Sequence, residues 1–157
     1  MSALKDRVEA FLFHEADIAD RHAYAEWLTL WSKDAKYWLP CNDDDSDPET
    51  HVALIYETYS GLENRVQRLM SGYAHTQSPP TRTCRVVANV QVRELDGGDV
   101  EAKSVMNITA FRRNRMDTLA GRVVHQLRPQ GNEFKIVQKT VYLVNNDGYM
   151  SNMTYLI

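Results

Sequence analysis

The chain opens with helical spacing. Leu4, Val8, Phe11, Leu12 and Ile18 recur on one side of residues 3–19, with Lys5, Asp6, Glu9 and Asp17 largely elsewhere, which predicts an amphipathic helix. A second stripe follows at once, with Tyr24, Trp27, Leu28 and Trp31 at i, i+3, i+4 and i+7, and Asp20 stands where a helix N-cap belongs. Together these predict helix over about residues 3–31. Ala35 to Leu39 is aromatic-rich and closed by Pro40, the pattern of a short strand. Residues 41–50 are acidic and aperiodic, and His51 to Tyr59 is β-prone. Ser60-Gly61-Leu62-Glu63 has the form of a capping box, and Leu62, Val66, Leu69, Met70 and Tyr73 then share a face. A third helix is therefore expected over about residues 60–72, with Gly72 suited to its C-terminal end.

After the break at Ser78-Pro79-Pro80-Thr81 the period changes to two. Val86, Ala88, Val90 and Val92 alternate with Arg85, Asn89, Gln91 and Arg93. Asp96-Gly97-Gly98-Asp99 has hairpin-turn composition. Val100 to Arg113 sets Ala102, Ser104, Met106, Ile108 and Ala110 on one face, and Leu119 to Arg128 and Phe134 to Val144 complete the run around Gln130-Gly131-Asn132. Four long consecutive strands over about residues 82–144 predict a strongly curved, mainly antiparallel sheet. Helices followed by a meander are the α+β pattern, here as one domain over residues 1–157. The helices must cover one face of that sheet, having no other apolar partner. An exposed Tyr155-Leu156-Ile157 would be costly, so the tail is expected to pack on something, a neighbouring subunit being one choice.

Charge and cysteine usage narrow the function classes. A net charge of -3 lacks the basic footprint of a nucleic-acid binder. No stretch approaches the roughly 20 apolar residues of a membrane helix, and the first residues lack a basic segment followed by an apolar run. The expectation is a cytoplasmic protein, in which the Asn107-Ile108-Thr109 and Asn152-Met153-Thr154 sequons are chance matches. Cys41 and Cys84 have no CxxC spacing and read as small apolar side chains.

A search for catalytic signatures mostly finds their absence. His14, His22, His51, His75 and His125 include no helical metal pair. Paired Cys-x-His and Cys-x-x-His ligands of a Rieske cluster are missing, as are a phosphate loop and a nucleophile elbow. Asp43, Asp45 and Asp47 match positions 1, 3 and 5 of a calcium loop, but Pro48 replaces its glycine and Leu54 its glutamate. A solvated loop is the better reading. His75 is a conceivable base with no carboxylate nearby in sequence to orient it.

Arginines are the more informative residues. Arg65 and Arg68 share a helix, while Arg82, Arg85, Arg112, Arg113, Arg115, Arg122 and Arg128 lie on strands or at their ends. They form ion pairs on a sheet surface or face a partner protein, where arginine suits bidentate pairing. The aromatic stripe of Tyr24, Trp27 and Trp31 packs as core or lines a pocket.

In order along the chain stand Glu15-Ala16, Asp20, Tyr24-Ala25-Glu26-Trp27-Leu28 and Asp34-Ala35-Lys36-Tyr37-Trp38-Leu39-Pro40. There follow Gly61-Leu62-Glu63-Asn64-Arg65-Val66 through Arg68-Leu69, then Thr81-Arg82-Thr83-Cys84-Arg85 and Asn89-Val90. Phe111, Arg113, Arg115, Gly121-Arg122, Leu127-Arg128 and Val137 to Leu143 complete the series. In this order and spacing, nearly the whole chain resembles the small, or beta, subunit of the aromatic-ring-hydroxylating dioxygenases, the Rieske non-haem iron oxygenases. The resemblance implies a cone-like α+β fold shared with nuclear transport factor 2. It implies a trimer of beta subunits holding three alpha subunits, an α3β3 assembly, with the Rieske [2Fe-2S] cluster and mononuclear Fe(II) in the alpha subunit. This chain would then hold no catalytic, cofactor or metal residue of its own. Tyr24, Trp27, Arg65, Arg68, Arg82, Arg85, Asn89, Arg113, Arg115, Arg122 and Arg128 carry the motifs and are the candidate interface positions. Val144 and Asn145 stand where the family often has an aspartate after Leu143, and the short length is nearer the benzoate-type members, a hint of an aromatic acid substrate.

Three functions compete. The first is a structural subunit that stabilises its assembly. A second is a stand-alone isomerase or dehydratase on the same fold, which needs a titratable group with a shifted pKa inside the cone. The apolar inward strand faces, poor in Asp and Glu, count against it. The third is a binding module that docks peptides or proteins.

Overall fold

The computed structural model describes residues 3–41, 53–71, 80–145 and 155–157. The Asp43, Asp45 and Asp47 loop, His51, Gly72, Tyr73, His75 and the Asn152 sequon lie outside the described residues. In chain order the elements are helices α1 (Ala3–Asp20) and α2 (Tyr24–Leu28), strands β1 (Trp31–Pro40) and β2 (Ala53–Thr58), and helix α3 (Tyr59–Ser71). Strands β3 (Arg82–Glu94), β4 (Val100–Arg112), β5 (Arg115–Gln130) and β6 (Glu133–Leu143) follow. The six strands form one sheet in the order β2-β1-β6-β5-β4-β3. Every neighbouring pair is antiparallel except β1 and β6, which run parallel. This is the expected α+β, mainly antiparallel, curved arrangement.

The core joins the helices to the sheet's concave face. Val8, Leu12 and Ile18 of α1, Trp27 of α2 and Leu62 and Val66 of α3 meet Ala102 and Ile108 of β4, Val123 and Leu127 of β5, and Ile136 and Val141 of β6. The stripe read from the sequence thus buries against the predicted strand faces. Trp27, Trp31 and Tyr37 stack edge-on, with ring centroids 5.2 to 6.2 Å apart, as aromatic quadrupoles prefer. The aromatic stripe is core.

Several local expectations give way. Trp31 begins β1 rather than ending a helix, and α2 is only five residues long. Asp20 does not cap α2: Ala23 occupies that position, and Asp20 ends α1 with its carboxylate turned to β3. Ser60 is the second residue of α3, inside the helix rather than before it, so the capping-box reading fails. The hairpin turns match their composition. Gly97 and Gly98 have φ of 88° and 98°, and the two-residue β4–β5 turn places Arg113 and Asn114 at φ of 51° and 62°.

Two bulges reverse side-chain direction, one of them in β3, where the sequence predicts unbroken alternation. The β3–β4 ladder slips between Ala88 and Gln91, with Asn89 at φ 56°. Val90 and Val92 stay partly buried against the core beyond it, but before it Val86 is 59% exposed and Arg85 points inward. In β6, Gln138 pairs with Gln126 and Ile136 with Leu127, leaving Val137 unpaired. Phe134 and Ile136 face the core before that bulge, and Lys139, Val141 and Leu143 after it. Each bulge inserts one residue and so flips a period-two pattern.

The tail packs on its own chain. Leu156 and Ile157 are buried in the core cluster, so a neighbouring subunit is not needed to cover them.

Candidate functional site

The sheet's concave side holds charge where the sequence reading expects apolar filling. Glu15 comes from α1, His125 from β5 and Lys139 from β6, and all three side chains are buried. His125 Nε2 lies 2.9 Å from Glu15 Oε1. Lys139 Nζ donates to Glu15 Oε2 at 2.8 Å and to the Ile157 main-chain oxygen at 2.6 Å. Trp27 Nε1 donates to Glu15 Oε2 at 3.2 Å. One carboxylate thus gathers three donors from three elements.

Burial alone pushes the Glu15 carboxyl up, but Lys139 and His125 outweigh it and hold the group well below the usual carboxylate range. Burial drives the His125 imidazole down, Glu15 offsetting only part of the effect, so the ring is neutral at neutral pH. Burial also lowers the Lys139 ammonium, again partly offset by Glu15. The cluster is a carboxylate balanced by one ammonium, with a neutral imidazole donating from Nε2. A second pair lies beside it. Asp20 accepts from Arg85 Nε at 2.8 Å, the Arg85 backbone N–H at 3.0 Å and Thr83 Oγ1 at 2.9 Å.

A carboxylate orienting an imidazole is the arrangement of a general base. The space beside it decides what it can do. The cavity lined by Leu12, Arg85, Ser104, Met106, His125 and Lys139 measures about 20 Å³, against roughly 300–1,000 Å³ for pockets that take organic ligands. No small-molecule substrate fits. Nor does the cluster suit a metal, because the Lys139 ammonium occupies the carboxylate a cation would need. Among the described residues no three His, Cys, Asp or Glu side chains converge as metal ligands.

The residues singled out from the sequence divide by location. Tyr24, Trp27 and the Arg85 side chain are interior: Tyr24 donates to His22 Nδ1 at 3.1 Å, and the Arg85 side chain is 3% exposed. Arg65 is half-buried against Glu57, and its guanidinium is held above its ordinary range, burial opposing and Glu57 prevailing. Arg68 lies on α3 with its Nε 3.5 Å from the Asn64 carbonyl. Arg82 sits over the Phe111 ring at 5.0 Å and Arg122 over Tyr142 at 5.3 Å, both with their side chains at the surface. Arg113 is a turn residue, Arg115 pairs with Asp117 at 3.2 Å, and Asn89 forms the β3 bulge. Arg128 pairs with Asp34 at 3.1 Å, and that guanidinium together with Ser32 brings the Asp34 carboxyl down to about 2.

The sequence reading missed Glu15, His125 and Lys139 as a group. Glu15 lies on the same helical stripe as Val8, Leu12 and Ala19, and a carboxylate on an apolar stripe was the available signal. His125 continues the inward row of Val123 and Leu127. Lys139 was hidden by the bulge.

Comparison with known proteins identifies the family. Residues 14–147 match the family described as "Ring hydroxylating beta subunit". The 2-halobenzoate 1,2-dioxygenase small subunit of Burkholderia cepacia is 35% identical over 88% of this chain and 87% of its own length. The anthranilate 1,2-dioxygenase small subunit of Acinetobacter baylyi is 33% identical, covering 88% of each chain. Among solved structures, the beta subunit of the benzoate 1,2-dioxygenase of Burkholderia mallei superposes with a TM-score of 0.80 at 29% identity, covering 95% of each chain. The match over most of the chain and the shared fold place this protein in the beta-subunit family of the aromatic-ring-hydroxylating dioxygenases.

Proposed function

We propose that the chain is a non-catalytic structural subunit of a multicomponent aromatic-ring dioxygenase, folding as one domain over residues 1–157 in the cytoplasm. The observation that carries this is the filled cone: its buried carboxylate–imidazole pair faces about 20 Å³ of space. That argues against the isomerase or dehydratase reading, for which a Glu–His pair would need an open pocket. The Rieske [2Fe-2S] cluster and mononuclear Fe(II) belong on this reading to a larger alpha subunit. Three copies of each chain form an α3β3 assembly, and the relatives' names point to an aromatic carboxylic acid as substrate. On this reading exposed Arg68 and Arg113, and Arg82 and Arg122 over aromatic rings at the sheet surface, are the arginines that would meet a partner.

The test is purification of the chain from its native cells, with iron analysis and native mass of what accompanies it. A larger iron–sulfur protein in equal ratio is the expected result. Emergence of the chain alone and metal-free, or an isolated partner fully active and equally stable without it, would overturn the proposal.

A further inference from the structure

Two buried polar atoms beside the charge cluster have no hydrogen-bond partner among the described residues: His125 Nδ1 and Arg85 Nη2. Both residues line the same small cavity, with Ser104 as a further polar neighbour. Leaving such groups unsatisfied in the interior is costly, and each needs an explanation. We propose that this cavity is a binding site for one water molecule, which accepts a hydrogen bond from Arg85 Nη2 and donates one to His125 Nδ1.

The chemistry of the two atoms selects the ligand. Glu15 is ionised, so the 2.9 Å contact with its Oε1 requires a proton on His125 Nε2. The neutral ring then presents Nδ1 as a bare acceptor. Arg85 Nη2 can only donate. An occupant must therefore accept from one and donate to the other. A halide cannot donate, and a metal cation cannot accept. The cavity's 20 Å³ exceeds the roughly 10–15 Å³ that one water requires and leaves room for little else. The water would tie β3, through Arg85, to the His125–Glu15 contact that joins β5 to α1.

A crystal structure of the chain in its purified assembly, at a resolution that shows ordered water, tests this. One fully occupied peak about 2.7–3.2 Å from both Nδ1 and Nη2 is expected. It should be unchanged in crystals grown with bromide in place of chloride. A cavity without a peak, a peak with bromide's anomalous signal, or an imidazole turned to set Nδ1 against Glu15 would each overturn the proposal.

Discussion

At the scale of single residues, Glu15 decides most. Its one carboxylate satisfies Lys139, His125 and Trp27 together. Removing one partner of a buried ion pair leaves the other charge uncompensated, typically at about 3–5 kcal/mol. Glu15→Gln should therefore lower unfolding free energy by about that much in urea titrations; a loss within error of zero would mean that Lys139 finds water or sheds its proton. The cluster also sets a pH dependence. Burial depresses His125 below its ordinary 6.5, so in that window the unfolded chain binds a proton that the folded chain does not. The stability that the neutral His125 contributes is fully present above its ordinary 6.5 and is lost as pH falls below it. Glu15 adds a second loss below its ordinary 4.5, because the folded carboxylate resists protonation. Urea midpoints at pH 7, 5.5 and 4 should fall in two steps. His125→Gln, which keeps a side-chain N–H donor, should flatten the first; an unchanged first step in that variant would assign the proton elsewhere.

At the scale of elements, β4 reads correctly from alternation while β3 reads only in part. Val100, Ala102, Met106 and Ile108 face inward as spaced, because the β4–β5 ladder runs without a slip. The bulges at Asn89 and Val137 break the same logic. Asn89 tolerates a left-handed backbone better than a β-branched residue does, so Asn89→Val should cost about 1–3 kcal/mol and Asn89→Gly far less. Equal unfolding midpoints for the two variants would show that the slip moves to another position. Gly121 works by contact: a Cβ there would stand 2.8 Å from the Tyr142 carbonyl oxygen. Gly121→Ala should destabilise the β5–β6 pair, seen as faster amide exchange along β6.

At the scale of the whole molecule, the tail closes the core. Leu156 and Ile157 are buried, and the Ile157 main-chain oxygen accepts from Lys139. Burying one aliphatic side chain contributes about 1.5–3 kcal/mol, so a chain lacking residues 155–157 should lose roughly 3–6 kcal/mol in denaturant titrations. An unaltered midpoint would show that the tail rests on the core without supporting it.

The sequence by itself determined the helix-then-meander order, the inward row of β4 and membership of the family. These follow from local periodicity, or from motifs that keep their order along the chain. Only the tertiary structure decided that Arg85 and Lys139 face inward, that the tail seals its own chain, and that Glu15 gathers His125 and Lys139 from distant strands. Alternation is informative within an uninterrupted ladder, but a bulge is set by the register of the partner strand. Ion pairs between residues more than a hundred positions apart leave no spacing for a sequence to show.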